Sequence, residues 1–229
     1  VSMNVSLDGF MAGVNGGLEW HFKYWNNEMA QAAAEKLSEA DTILLGRVTY
    51  LAMAKYWPAQ AINVWGDREA ILYADMMNNH KKIVFTGTLI NPEWNNTRLV
   101  KRNIKSEIER LKQQDGKNLI LYGSGGIVTA LNQLDLVDEY QIWIHPVVLG
   151  KGKPLFKGLK KKFNMLPLSM RQFSSGVVLI CYAVKKNPAE KSELKVHLSF
   201  TSMMDSRFPS VFTLGFLGSD SQIPSTANL

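Results

Sequence analysis

Asn118–Ile127 reads NLILYGSGGI. Leu119, Ile120, Leu121 and Tyr122 form a short apolar run, the pattern of a strand buried on both faces. Gly123, Ser124, Gly125 and Gly126 follow at once. Ile127 then opens a segment, IVTALNQL to Leu134, that is apolar at helical spacing. Strand, glycine turn and helix start in that order leave backbone amides bare at the positive end of a helix dipole, where a phosphate can sit. A side chain in the turn would block a ligand's approach or forbid the backbone angles. The run is not the dinucleotide fingerprint G-x-G-x-x-G, because its third glycine falls one position early. A tight strand-to-helix turn with no ligand accounts for it equally well.

Two other junctions share this form. Asp41–Leu45 (DTILL) is a second buried strand that runs straight into Gly46, Arg47, Val48, Thr49 and Tyr50, with a helix to about Tyr56. The planar fork of Arg47 matches a phosphate with two bonds at once. Thr49 adds a hydroxyl, or caps the helix. Lys82–Phe85 is a third strand, ending in Thr86, Gly87 and Thr88. Strands alternating with helices predict a mostly parallel sheet covered on both faces. Ligands of such sheets bind at the carboxyl ends of the strands. All three clusters fall at those ends, and together they predict a dinucleotide site.

The remaining chain fills in this frame. Val1–Leu7 alternates as a strand and Ser6–Gly9 ends it. The glycine-rich loop Phe10–Trp20 carries Phe10, Met11, Leu18 and Trp20, which should bury against the core or against a ligand. Trp20 is the candidate substrate contact. Asn26 can cap a helix through Glu28–Leu37. Pro58–Asp67 reads as a loop with Trp57 and Trp65 half-buried, followed by helical character to Met77. Thr97–Lys101 is a short strand, and Ser106–Gln114 an amphipathic helix with Ile104, Ile108 and Leu111 on one face. Asp138–Leu149 predicts a long strand, at an edge or bulged because of Pro146. Asn164–Phe173 and Val177–Val184 read as two further strands, an antiparallel end to the sheet. His145, alone beside Pro146, reads more readily as a packing residue than as a catalytic one.

Composition narrows the class. The chain has 229 residues, 46% hydrophobic and 20% charged, an ordinary soluble balance. No apolar run approaches the roughly 18–20 residues that span a bilayer, so no membrane association is expected. No secretory leader pattern is present, and Val1 already lies inside a strand-like run, so further native residues are expected ahead of it. Cys181 is the only cysteine, which rules out an internal disulfide and predicts a reducing, cytoplasmic setting. The net charge of +6 owes much to Lys151, Lys153, Lys157, Lys160, Lys161 and Lys162. Stacking aromatics are not interleaved with them, so a solvated face is expected rather than a nucleic-acid surface. No metal-ligand cluster and no Ser/His/Asp nucleophile arrangement occurs. After Lys186 the periodicity fades, which divides the chain into a domain at 1–186 and an appendage at 187–229, expected to be poorly ordered or docked in pieces.

Six stretches, in order, resemble the dihydrofolate-reductase-like fold family. They are most similar to its branch related to the C-terminal reductase domain of the bifunctional riboflavin-biosynthesis deaminase/reductase. They are Val5–Ala12 (VSLDGFMA), Leu45–Tyr50 (LGRVTY), Lys82–Thr86 (KIVFT), Leu121–Gly126 (LYGSGG), Leu136–Tyr140 (LVDEY) and His145–Phe156 (HPVVLGKGKPLF). The resemblance covers about residues 1–184. It implies a three-layer α/β/α fold with a mostly parallel central sheet and antiparallel C-terminal strands. It also implies an NADPH-dependent reductase that works as a homodimer, with the apolar strand around Trp143 a candidate for the contact. By the family pattern Arg47 and Thr49 hold the cofactor's phosphates, and Thr86–Thr88 lie near the adenosine 2′-phosphate. Gly123–Ile127 cradle the pyrophosphate and pass the nicotinamide, which Asn4 and Met11 flank, and Gly46 is a further cofactor-binding candidate. Folate reductases place a carboxylate on the first helix. Here Tyr24, Trp25, Asn26 and Asn27 stand near that position, so folate is not the expected substrate. Asp8 and Glu28 remain as candidate acids, although Asp8 serves equally as a turn residue. The expected substrate is a small heterocycle, pterin- or pyrimidine-like, or a carbonyl compound. The alternative is a non-catalytic nucleotide-binding or interaction protein on the same fold.

Overall fold

Buried β-branched and leucine runs alternate along this chain with alanine-rich helical stretches, and each run becomes a strand. The structure, a computed structural model, describes residues 1–61, 68–160 and 162–185. The region 187–229, Trp65 and Asp67 lie outside the described residues.

In chain order the elements are β1 (Ser2–Ser6), β2 (Phe10–Ala12), α1 (Glu19–Phe22), α2 (Asn27–Ser38), β3 (Ala40–Gly46) and α3 (Arg47–Ala61). Next come α4 (Arg68–Asn79), β4 (Lys81–Phe85), β5 (Thr97–Val100), α5 (Ile104–Lys112), β6 (Asn118–Leu121) and α6 (Gly125–Gln133). The last are β7 (Glu139–His145), β8 (Lys153–Pro154), β9 (Met165–Gln172) and β10 (Val178–Val184).

The parallel strands order as β5-β4-β3-β6, and a second group as β1-β7-β10-β9. A single parallel bridge, Ser2 to Tyr122, joins β1 to the end of β6. The strand order therefore reads β5-β4-β3-β6-β1-β7-β10-β9. It is parallel through the β1–β7 pair, and β10 and β9 turn antiparallel. The short pair β2–β8 stands apart.

Alternation along the strands divides the core into two layers. Ile43, Leu45, Val84 and Trp143 pack with Met29, Ala33 and Leu37 of α2, Tyr50 of α3, and Tyr73 and Met77 of α4. Leu44, Ile83, Phe85 and Ile142 point the other way, onto Ile108 of α5 and Val128 and Leu131 of α6. This is the expected three-layer arrangement. Asn26 caps α2 as predicted, its Oδ1 accepting from the Met29 amide at 3.0 Å.

The structure corrects several expectations. The long strand at 138–149 stops at His145, because Pro146 has no amide to continue the ladder. Pro58 lies inside α3 rather than opening a loop, on an exposed position near the helix end. Leu18 is exposed, whereas Trp20 is buried. Trp143 sits on an interior strand, stacked on Phe173 at 5.5 Å, and its Nε1 donates to Ser2 Oγ. It cannot serve as a contact between subunits. The described lysines of 151–162 are exposed. Among the described residues, no helix is long and apolar enough to cross a membrane, and no group of three or more metal-ligating side chains forms.

Candidate functional site

The β3–α3 and β6–α6 junctions interlock. A Cβ at Gly46 would fall on Ser124 Oγ, and would lie 3.5 Å from Ile127 Cγ1. A Cβ at Gly123 would stand 2.8 Å from Thr49 Oγ1. Gly123 also has φ +62°, so both space and backbone exclude a side chain there. A Cβ at Gly125 would strike the Met11 methyl. Gly46, Thr49, Gly123, Ser124, Gly125, Ile127 and Met11 thus meet at one place, although they come from three separate stretches. Thr86 is one residue beyond Phe85, which pairs with Gly46, so the third junction lies one strand over along the same edge.

This edge exposes backbone amides, hydroxyls and a guanidinium. Ser124 takes a left-handed conformation, φ 58° and ψ 78°, and its side chain does not cap α6. The first amides of a helix have no intrahelical partner; here the Ser124 carbonyl accepts from the Ile127 and Val128 amides, and the Gly125 and Gly126 amides bond no described residue. Gly126 is exposed, and a Cβ placed there would meet nothing within 4 Å. Arg47 is exposed at the start of α3 and forms no ion pair with a described residue. At the third junction Thr86 Oγ1 accepts from the Thr88 amide at 3.2 Å and the Leu89 amide at 3.0 Å. Gly87 and Thr88 are exposed beyond it. The donor set, bare amides with a free guanidinium and hydroxyls, fits a dinucleotide's phosphates.

The two candidate acids are engaged elsewhere. Asp8 accepts from Ser6 Oγ at 2.6 Å, and from the amides of Leu149 at 3.1 Å and Gly150 at 2.8 Å. The Ser6 hydroxyl, with those amides, holds its carboxyl below the usual range. It clasps the β1–β2 turn to the segment after β7. Glu28 accepts from the Ser174 amide at 2.9 Å, which lowers its pKa, with help from the Ser174 hydroxyl and Arg171. Both are ionised at neutral pH and committed to backbone, so neither has the character of a proton donor.

Asn4 leads instead to a histidine. Its Oδ1 lies 2.9 Å from His145 Nε2. His145 is fully buried and its ring faces Trp20, His21 and Tyr24. Burial first, then the neighbouring His21, push the His145 pKa down to about 4. Burial does the same to His21, against the opposite pull of Glu19. Nothing local in the sequence signals this grouping. His21 and His145 are 124 positions apart, and His21 sits in a four-residue helix too short to show a period.

Comparison with known proteins places this geometry in a family. Residues 1–179 match the RibD C-terminal domain. The uncharacterized protein YyaP of Bacillus subtilis (strain 168) is 37% identical over 182 residues, 80% of this chain and 92% of its own. A second uncharacterized protein of that strain, YwjB, is 28% identical over 175 residues, 76% of this chain and 91% of its own. Among solved structures, a putative riboflavin biosynthesis protein from Shewanella sp. PV-4 superposes with a TM-score of 0.61 at 22% identity, covering 81% of this chain and 97% of the other. A diaminohydroxyphosphoribosylaminopyrimidine deaminase/5-amino-6-(5-phosphoribosylamino)uracil reductase from Thermotoga maritima superposes with a TM-score of 0.55 at 18% identity, over 80% of this chain and 55% of that one. These two likenesses confirm the fold, and the match over residues 1–179 decides the kinship: the chain belongs to the RibD C-terminal domain family.

Proposed function

We propose that the chain is an NADPH-dependent reductase that delivers a hydride to a small heterocyclic, pterin- or pyrimidine-like, or carbonyl substrate. Membership in the RibD C-terminal domain family supports a reductase-like role. The observation that carries the reading is the meeting of Gly46, Thr49, Gly123, Ser124 and Met11 at one edge, beside the exposed Arg47. When bound, the reduced nicotinamide supplies the hydride. Arg47 and the α6 amides hold phosphate, Thr86–Thr88 face the adenosine end, and Asn4 with Met11 set the ring's place. Positioning two rings and excluding water is most of what such a transfer asks of a protein. The accompanying proton comes from solvent or from the substrate's surroundings, since Asp8 and Glu28 are committed elsewhere.

Tryptophan fluorescence titrated with NADPH and with NADH tests this, and tighter binding of NADPH is expected. Arg47→Gln should weaken NADPH about tenfold, the worth of one charge-assisted contact. Failure of both nucleotides to bind removes the proposal. The commitment of both acids to backbone also favours a second reading, a nucleotide-binding protein without turnover. Cofactor binding with no NADPH oxidation across pterins, pyrimidines and carbonyls would select it.

A homodimer is part of the proposal, and the sheet edge left unpaired among the described residues supplies its surface. Outermost β9 is exposed along nearly its whole length, with Leu166, Leu168 and Met170 on it; Met170 is 74% exposed. An unpaired apolar edge strand invites a second chain. Sedimentation equilibrium should give a dimer that Leu168→Lys with Met170→Lys converts to monomer. A monomeric parent protein would refute the assignment.

A further inference from the structure

Lys82 is the only buried lysine among the described residues, fully enclosed on β4. Burial lowers its pKa to about 8 and no carboxylate offsets the shift, so the side chain is still charged at pH 7. Its Nζ donates to carbonyls in the last turn of α4, Met77 at 3.1 Å and Asn78 at 2.5 Å. It also stands 4.5 Å from the centre of the Trp94 ring. A cation is favoured at a helix C-terminus and over an indole face. Enclosing an ammonium without a counter-ion nonetheless costs free energy that a methionine of similar length would avoid.

The ring that Lys82 supports is a junction. Trp94 is buried, and its Nε1 donates to Asn78 Oδ1 at 2.7 Å. Asn78 Nδ2 donates in turn to the Ala74 carbonyl and to the Trp57 carbonyl in α3. The Trp94 amide donates to the Tyr50 hydroxyl at 3.0 Å. The Lys82 amide donates to the Asn96 carbonyl at 2.8 Å, and the Asn96 side chain reaches the Asn79 carbonyl. The segment that follows β4 is therefore pinned, at Trp94 and Asn96, to α3, α4 and β4.

Two of these attachments bear on the candidate cofactor edge. Tyr50 lies in the first turn of α3, which Arg47 opens. Between Thr88 and Trp94, Leu89 packs into the core and its amide bonds Thr86 Oγ1. Arg47 and Thr86 directly follow Gly46 and Phe85, which pair across β3 and β4. The bond from Trp94 to Tyr50 thus closes a ring of connections through α3, the β3–β4 pair and the Thr86 turn. Arg47 and the turn lie on its two arms.

We propose that Trp94, seated on Lys82 and Asn78 and bonded to Tyr50, is a positioning residue that holds the Thr86–Thr88 turn in register with Arg47. Its functional consequence rests on the reductase reading: the span between Arg47 and the turn governs how the 2′-phosphate is received, and so the preference for NADPH over NADH.

Tyr50→Phe removes the acceptor of the Trp94 amide and keeps the ring. Lys82→Met removes the ammonium and keeps the stem. In the full chain without nucleotide, hydrogen exchange at the Thr88 and Leu89 amides, followed by NMR, should quicken about fivefold in each variant, the worth of one hydrogen bond. Fluorescence titration should show NADPH weakened about fivefold and NADH unchanged, so that the ratio of their dissociation constants falls by the same factor. If urea unfolding shows that Lys82→Met does not fold, Tyr50→Phe decides alone. Two results overturn the inference: unchanged exchange at Thr88 and Leu89, or an unchanged ratio because both nucleotides weaken alike, as a merely structural role would give. A parent protein that binds neither nucleotide, with faster exchange in the variants, removes the reductase reading and leaves the positioning in place. Binding of both nucleotides at an unchanged ratio removes the inference and leaves the reductase reading in place.

Discussion

Gly126→Asp will abolish dinucleotide binding and leave the protein folded. Gly126 is the second residue of α6, is exposed, and has open space where a Cβ would stand. The first turn of α6 contains no acid, so a carboxylate there stabilises the helix by about 0.3–1 kcal/mol. The same carboxylate lies where the pyrophosphate would be held. Like charges brought together in a binding site cost several kcal/mol, which raises the NADPH dissociation constant by about a hundredfold or more. Gly126→Asn, with the same shape and no charge, should bind far better than the aspartate variant. Fluorescence titration reads the affinity, and urea unfolding shows that stability is kept or raised. An aspartate variant that binds NADPH like the parent would take the pyrophosphate away from α6, and the cofactor assignment with it.

Stability will fall steeply between pH 7 and pH 5. His21 and His145 have pKa values lowered from 6.5 to about 4, chiefly by burial. In the unfolded chain each takes up a proton below about 6.5, and in the folded protein neither does so until near 4. The unfolded state therefore binds more protons across that window. The part of the stability that these two rings govern is whole above pH 6.5 and drains away as pH falls toward 4. At pH 5 the loss comes to about 2 kcal/mol for each histidine. The carboxylates of Asp8 and Glu28 have lowered values and act only at more acid pH. Urea unfolding at pH 7 and pH 5 gives the difference, to which the buried amine of Val1 also contributes, and His21→Phe should remove about half of the histidine share. Equal stability at both values would mean that the two rings are not buried as neutral bases.

What the sequence disclosed was whatever is local. The strand–glycine–helix junctions were legible because both signals lie within ten residues, and so was the Asn26 cap, three positions from its donor. The short elements β2, α1 and β8 have neither a period nor a buried apolar run to read, unlike the equally short β6. Pro58 misled because a proline near an exposed helix end can be accommodated, whereas Pro146 ends its strand because it cannot donate to a ladder. The order of the sheet was hidden, since nothing near Val5 announces that β1 inserts between β6 and β7. The site followed the same rule. Its glycines and Arg47 were recognisable in place. The partners that occupy Asp8, some 140 residues away, were not, and neither was the meeting of His21 with His145.

The insertion of β1 has a consequence for how the protein is made. Its neighbours are Tyr122, at the end of β6, and β7 from Gln141 onward. As the chain is made, β1 must therefore wait for about 120 residues before it has anywhere to dock. At roughly 5–20 residues per second that is about 6–24 seconds of synthesis. During that time an alternating apolar strand stands unclaimed, and contacts of such long sequence separation form slowly even afterwards. Asn4 lies in this strand, so its pairing with His145 is completed late, after the β3–β4 pair that carries Gly46 and Thr86 has already taken shape.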